Sequence, residues 1–278
     1  MNEKTALIIF PHQLFAEHPS LATQIETVAV IEDSLFFGDP RYTSAFHKQK
    51  LWFHRASMTR YAADMEKKGY QVSYYEHSHA PSALERFLAS FSTNGGTCVR
   101  FAEPHDFLLE KRLKRLCERF ELKEERSPTP MFLNTAEENA AYRKGKKRWF
   151  MADFYKYQRR KLGVLMDGDQ PVGGQWSFDE DNRKKVPKTL LAEIPALPVR
   201  DNDALDLAAQ DHVNAQYASN PGSLSKLIYP TSHAGAQAWL DEFIGQRFQL
   251  FGDYEDALVE GESFLWHSVL TPMLNTGL

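Results

Sequence analysis

The chain is poor in cysteine: among 278 residues only Cys98 and Cys117 occur, at no metal-ligand spacing. That excludes a disulfide-stapled secreted scaffold and makes a reduced, cytoplasmic protein the expectation. Cys98 lies in an apolar run and Cys117 in a helical pattern, so both read as buried thiols. Long apolar stretches are missing as well, and none reaches the roughly 20 residues that span a bilayer. The start, MNEKTALIIF, suits a first strand better than a signal peptide. No Gly-rich phosphate loop follows that strand, which argues against an ordinary dinucleotide fingerprint. No nucleophile elbow or Ser/His/Asp signature stands out. His47 and His54 do not have metal-ligand spacing. Nor is there a large net charge: −4, with a pI near 6.2. Any binding of a polyanion must therefore rest on a local patch.

Aromatic residues are plentiful, at 13% of the chain. Such rings mostly fill cores, but they also stack on flat systems such as flavins and bases. Short apolar runs punctuate the first half: Thr5–Phe10, Thr27–Ile31, Gln71–Tyr75 and Thr97–Phe101, with Glu121–Glu124 as an edge-like fifth strand. Between them lie helical patterns at Ser44–Lys68, closed by Gly69, at Ser82–Phe91 and at Phe107–Phe120. Strands alternating with helices predict an α/β fold, a doubly wound five-stranded parallel sheet with crossover connections. After the joint at Phe150–Pro187 the pattern turns helical, with expected helices at Asp201–Ala215, His233–Phe251, Asp253–Val259 and Ser263–Leu274, and no further strand. The expected organisation is an α/β domain over 1–134, basic helices and a linker over 135–200, and an incomplete all-α region over 201–278.

Ligands on doubly wound sheets bind beyond the carboxyl ends of the strands. That places Pro11–Leu14, Glu32–Phe37 and Glu103–Pro104 around one candidate cleft, with His47 and His54 on the following helix. Acidic and amide groups there suit the polar edge of a heterocycle or a ribityl chain; ordinary loop capping is the plainer reading. The stretch Phe150–Pro187 joins the two halves. It opens as a basic, aromatic helix. Between Arg143 and Lys161, nine basic residues (Arg143, Lys144, Lys146, Lys147, Arg148, Lys156, Arg159, Arg160, Lys161) are opposed only by Asp153. Phosphate recognition needs such a surplus, and a solvated helix face is the alternative. The terminal FLWHSVLTPMLNTGL is strongly apolar, which reads either as a helix that has lost its packing partner or as one docked on the body.

Three stretches carry a resemblance. The joint, YKYQRRKLGVLMDGDQPVGGQWSFDEDNRK, resembles the interdomain segment of the bacterial iron–sulfur photolyase/cryptochrome-related proteins. HKQKLWFHRASMTRYAADMEKKGYQV resembles the long helix and third strand of their antenna domain. FGDYEDAL and HSVLTPMLNTGL resemble the turn with which photolyases open their flavin pocket. The resemblance implies a light-driven, FAD-dependent lyase that repairs UV-made pyrimidine dimers in DNA, commonly the (6-4) photoproduct, with an antenna chromophore such as a ribityl lumazine. Carried over residue by residue, His267, Ser268, Leu270 and Thr271 fall in the flavin turn, with Tyr254 and Asn275 beside it. His12, Gln13, Leu14, Glu32, Asp33, Phe36 and His47 fall at the antenna cleft, and Arg159, Arg160, Arg183 and Lys184 on the DNA side. His12 stands where relatives carry an acidic residue and Phe36 where they carry Glu, which leaves another antenna, or none, open. The family pattern continues roughly as long again after Leu278, where most of the flavin pocket and the four cysteines of a 4Fe-4S cluster would lie. The expectation is thus an N-terminal, catalytically silent portion of such a photolyase. A cryptochrome-like photoreceptor and a free-standing chromophore- or nucleotide-binding module are the alternatives.

Overall fold

The computed structural model describes residues 4–21, 24–41, 44–198 and 200–278, so Met1–Glu3 of the expected strand lead lie outside the described residues. The chain packs as two units, each assembled from separated stretches. Unit 1 comprises Met1–Met131, Pro198–Leu240 and Leu270–Leu278; unit 2 comprises Phe132–Leu197 and Asp241–Val269. This packing cuts across the consecutive division at residues 134 and 200, because the stretch after 198 folds back onto the α/β body.

Unit 1 is built on β1 (Thr5–Ile9), β2 (Thr27–Ile31), β3 (Val72–Tyr75), β4 (Cys98–Ala102) and β5 (Lys123–Ser127). They form one parallel sheet in the order β3-β2-β1-β4-β5. This is the expected α/β sheet. Every residue of β1 is buried, because a parallel sheet is covered on both faces and its inner strands read as unbroken apolar runs. By alternation, Ala6, Ile8, Phe10, Ala29 and Ile31 share one face. They pack on Leu84, Phe87 and Leu88 of α3 (Ala83–Thr93) and on Leu109, Leu113 and Leu116 of α4 (Phe107–Arg119). Each large aliphatic side chain buried there contributes roughly 1.5–3 kcal/mol. The fifth strand lies two residues beyond its expected place. Its sequence, KEERS, has no apolar alternation, and it is held by pairing with β4 and by edge charges such as Arg100–Glu125 (2.6 Å).

Helix α2 (Lys48–Lys67) begins four residues later than the pattern suggests, because His47 caps it by accepting from Gln49 N (3.2 Å). Gly69, at φ +91°, ends it in a conformation that favours glycine. α2 packs along α7 (Ala204–Gln216), and Trp52 Nε1 donates to the Asp206 carbonyl (3.0 Å). The Asp206 carboxylate is fully buried; it accepts from Thr231 (2.8 Å) and pairs with Arg200.

Unit 2 contains α5 (Ala136–Arg143), whose Thr135/Glu138 capping box sets its start, and α6 (Met151–Leu162). A two-residue hairpin, β6 (Met166–Asp167) with β7 (Gln170–Pro171), lies inside the Phe150–Pro187 joint; Gly168 supplies the positive φ its turn needs. A 3-10 turn over Lys188–Glu193 places Leu190 beside a small core of Tyr254, Leu265 and Trp266. Arg247, 1% exposed, ties this unit together by donating to the carbonyls of Leu265 (2.6 Å), Pro195 (2.9 Å) and Ala196 (2.7 Å).

The helical expectations for the last fifty residues are corrected. The helix expected over His233–Phe251 is α8 (His233–Glu242), then a π turn over Phe243–Arg247, then α9 (Phe248–Phe251). Only one 3-10 turn, Gly252–Tyr254, forms in the expected Asp253–Val259 helix. Left-handed backbone at Leu265 and Val269 breaks the expected Ser263–Leu274 helix, and α10 is confined to Thr271–Leu274. The apolar end is docked, not left without a partner: Trp266 is buried in unit 2, and Met273 and Thr276 in unit 1. There Leu14 N donates to the Thr276 carbonyl (2.9 Å), and Gly277 sits so close to Phe15 that a Cβ would lie 2.6 Å from its ring.

Candidate functional site

The sheet order reverses between β1 and β4, and the crevice beyond that switch point is where such folds take ligands. Here it is stitched shut. His12 Nε2 bonds the Pro104 carbonyl (2.8 Å) and Gln13 Nε2 donates to the Ala102 carbonyl (2.8 Å). The Phe36 ring stacks on His12 (5.1 Å, 15°) and takes His54 on its edge (5.5 Å, 78°). Burial lowers His12 to about 4 and His54 to about 3, so both rings are neutral near pH 7. His12 Nδ1, Gln13 Oε1 and His54 Nδ1 are buried with no protein partner, so polar capacity remains at this end of β1.

The two acidic residues after β2 do not face a cleft. Glu32 is fully buried and accepts from Arg55 Nη1 (2.8 Å), Tyr74 Oη (2.7 Å) and His77 N (2.8 Å). Burial pushes its carboxyl up, against the pull of Arg55, His77 N and Tyr74. Asp33 caps α1 (Ser34–Phe37) through Leu35 N (2.9 Å) and pairs with Arg112 (2.9 Å), which also reaches Asp39. The pattern of acids at strand ends is therefore a pair of internal ion networks. Leu14 is core, and His47 is a helix cap. Of the candidate antenna residues, the structure brings together His12, Gln13 and Phe36.

An open cleft of about 690 Å³ lies one step along the sheet edge, beyond β2 and β3. Its walls include Phe37, Phe46, Glu76, His77, His79 and Tyr217. Phe37, His77 and Tyr217 form a stack, at 6.1 Å and 26° and at 6.4 Å and 22°. His77 Nε2 meets the Gly38 carbonyl (2.9 Å) and His77 Nδ1 meets Tyr217 Oη (3.0 Å). A carbonyl only accepts, so the proton sits on Nε2, and Tyr217 donates to Nδ1. Burial lowers His77 and His212, which favours the neutral rings this pattern needs. Glu76, held low by Arg55, keeps one carboxylate on the rim. The site thus offers flat faces with a few polar groups around them. Sequence reasoning missed His77, His79, His212 and Tyr217. The strand-end rule extended to β3 would have pointed to Glu76–His79; His212 on α7 and Tyr217 at its end are far away in sequence.

The candidate flavin residues divide between the units: Tyr254, His267 and Ser268 in unit 2, Leu270, Thr271 and Asn275 in unit 1. Tyr254 is buried against Trp266 (5.0 Å), and His267 packs edge-on to Phe251 (5.6 Å, 78°). Thr271 opens α10 and Asn275 caps its end. Tyr254 and His267 serve packing and Asn275 serves capping, so neither group by itself forms a flavin cradle.

The candidate DNA residues also separate. Arg159 is 5% exposed and donates to the carbonyls of Val164 (3.4 Å), Trp176 (3.3 Å) and Leu165. That corrects its reading as a phosphate contact: it closes the turn after α6. Arg160 lies over the Trp176 ring (4.5 Å). Arg183 is exposed beside Asp256 (3.3 Å), and Lys184 pairs with Asp253 (2.8 Å).

Comparisons with known proteins agree with this architecture. The chain belongs to the deoxyribodipyrimidine photo-lyase-related protein family, whose model matches residues 7–229. It is 32% identical to an uncharacterized protein, R852, of Acanthamoeba polyphaga mimivirus over 195 residues, which are 68% of this chain and 98% of that one. It is 29% identical to a (6-4) photolyase of Agrobacterium fabrum over 238 residues, 84% of this chain and 46% of that one. The fold matches a bacterial class III photolyase from Agrobacterium tumefaciens with a TM-score of 0.55 and 17% identity, covering 100% of this chain and 51% of that one. The chain spans about half the length of the two photolyases it matches. Among the described residues no helix is long and apolar enough to cross a membrane.

Proposed function

We propose that the chain works in light-driven, flavin-dependent repair of UV-damaged DNA, and that unit 1 holds the light-collecting chromophore. The observation that carries this reading is the cleft beyond β2 and β3, with the Phe37–His77–Tyr217 stack on an antenna-type sheet. Its volume falls in the roughly 300–1,000 Å³ range of small-molecule sites. The role of the chain's own residues is to seat a flat heterocycle against those rings and to meet its polar edge with His79 and Glu76. FAD as the reacting cofactor is supported by the family resemblance, and the (6-4) photoproduct as its lesion by the Agrobacterium fabrum relative.

The test is a titration of the purified protein with a ribityl lumazine, a reduced folate and FAD, read by absorbance and fluorescence. Micromolar binding of one of them is expected, weakened about tenfold or more by Tyr217→Ala and by His79→Ala. Binding that neither substitution weakens would move the chromophore elsewhere. A second reading, a chromophore-binding module without repair chemistry, is favoured by the mimivirus relative, which this chain covers almost whole. Photorepair of an oligonucleotide carrying a (6-4) lesion would exclude the second reading, since a pure binding module leaves the lesion untouched.

A further inference from the structure

We propose that the α5–α6 face of unit 2 binds single-stranded nucleic acid, taking unpaired bases on its exposed rings and backbone phosphates on the surrounding lysines and arginines. The inference rests on the reading that the chain acts at DNA, and it places the contact on α5–α6 and the adjoining cleft instead of on Arg183.

The geometry is that of a ridge between two hollows. Trp149, Phe150 and Met151 are consecutive and 58%, 57% and 80% exposed. Monomeric proteins seldom leave three such neighbours in water without a use for them. On one side lies a cleft of about 810 Å³ walled by Met151, Tyr155, Trp176 and Phe178. On the other lies a shallower hollow walled by Ala140, Arg143, Lys144 and Trp149. The basic run Lys146–Lys147–Arg148 leads directly into the ridge.

Cations and rings are already matched. The Arg143 guanidinium lies 3.7 Å from the Trp149 centroid, Lys146 Nζ 3.6 Å from that of Tyr142, and Arg160 4.5 Å from that of Trp176. Each cation lies over a face of its ring, and Trp149 and Phe150 still keep more than half of their surface exposed for a base. Lys144, Lys147 and Arg148 make no ion pair among the described residues. The larger cleft also carries Asp179, Asp181 and Asn182, and Asn182 Oδ1 is buried without a partner. Acceptors of this kind suit the exocyclic amines and ring N–H groups of a base. They oppose a flat anionic membrane, which would meet the carboxylates of Asp253 and Glu255 in the same cleft. A duplex hides its base faces, whereas a single strand displays them, so the rings favour the latter.

The experiment is fluorescence anisotropy of an undamaged, labelled oligothymidylate with the whole chain, in the dark and without chromophore, between 50 and 200 mM salt. The single strand is expected to bind about tenfold or more tighter than a duplex of the same length. Trp149→Ala and Tyr155→Ala should each weaken it about tenfold at every salt concentration, and Trp149→Phe should restore it. The double substitution Lys147→Glu with Arg148→Glu should lower the salt slope by about 1.4. The first comparison uses the unaltered protein, so it stands even where a variant folds poorly. Equal affinity for duplex and single strand overturns the proposal, as does binding to phosphatidylserine vesicles with none to the oligonucleotide. No chromophore or lesion takes part, so this result is independent of the titration in unit 1.

Discussion

The two units treat charge in opposite ways. In unit 1, Glu32, Asp33 and Asp206 are buried, and each is met by an arginine and by further donors. In unit 2, most of the cations of the basic run stand in water, three of them lying over aromatic rings. The difference shows that an acid at a strand end is a poor sign of a ligand when a long arginine on the next helix can reach it. A cation beside an exposed ring is a better one, because nothing in the fold requires either to stay outside.

The largest effect that would break this contrast is in unit 1. Arg55→Ala leaves the Glu32 carboxylate buried with Tyr74 Oη and one backbone N–H as its remaining partners. Removing one partner of a buried pair costs about 3–5 kcal/mol. Urea unfolding followed by circular dichroism measures it. A loss below about 1 kcal/mol would mean that Glu32 is solvated, and would return it to the candidate ligand residues.

Acid should find the same unit next. Burial lowers His12 and His18 to about 4 and His54 to about 3. As the pH falls below about 6.5, the unfolded chain binds a proton at each and the folded chain does not. The stability these neutral rings supply is therefore present above about pH 6.5 and is lost progressively toward pH 4. The slope reaches about 1.4 kcal/mol per pH unit for each ring. Glu32 and Asp33, raised by burial, act in the opposite sense and reduce the net slope. Urea midpoints at pH 7 and pH 5 test this: the protein should be weaker at pH 5, and His18→Gln should flatten the difference. A chain more stable at pH 5 would contradict it.

How much of this could be read from the sequence depends on how local its cause is. The runs TALII and TVAVI are buried on both faces and announce themselves; β5, with KEERS, is made by its neighbour β4 and does not. Gly69 ends α2 as expected, because a positive φ is a property of one residue. The start of α2 was missed, because a histidine served as its cap. Beyond β1, His12, Gln13 and Phe36 lie near one another, as residues that follow neighbouring strands should. His212 and Tyr217 were invisible: they reach the cleft on α7, through a packing against α2 that no local pattern encodes. At the end of the chain the sequence leaves two readings open, and the structure takes the docked one, with Met273 and Thr276 buried. The residues that meet Thr276 and Gly277, Leu14 and Phe15, lie more than 250 positions earlier, so no local pattern shows the contact.

The smallest prediction sharpens the contrast inside unit 2, where one arginine behaves as those of unit 1 do. Arg159 lies near the rings of Tyr155 (5.5 Å) and Trp176 (5.3 Å), and its donors meet two carbonyls of the turn that follows α6, Val164 and Leu165, and that of Trp176 beyond the hairpin. Arg159→Ala should cost about 1.5–3 kcal/mol, because hydrogen bonds from a charged group to buried acceptors are lost together. Arg159→Lys should recover little, since an ammonium cannot reproduce the planar fork. Lys147→Glu, twelve residues earlier on the same face, should leave stability within about 0.5 kcal/mol. Salt-dependent oligonucleotide binding should show the reverse order, with Lys147→Glu lowering the slope and Arg159→Lys leaving it unchanged. Equal effects of the two on stability would mean that the basic run is part of the scaffold, and the division between buried, structural charge and available charge would no longer separate the units.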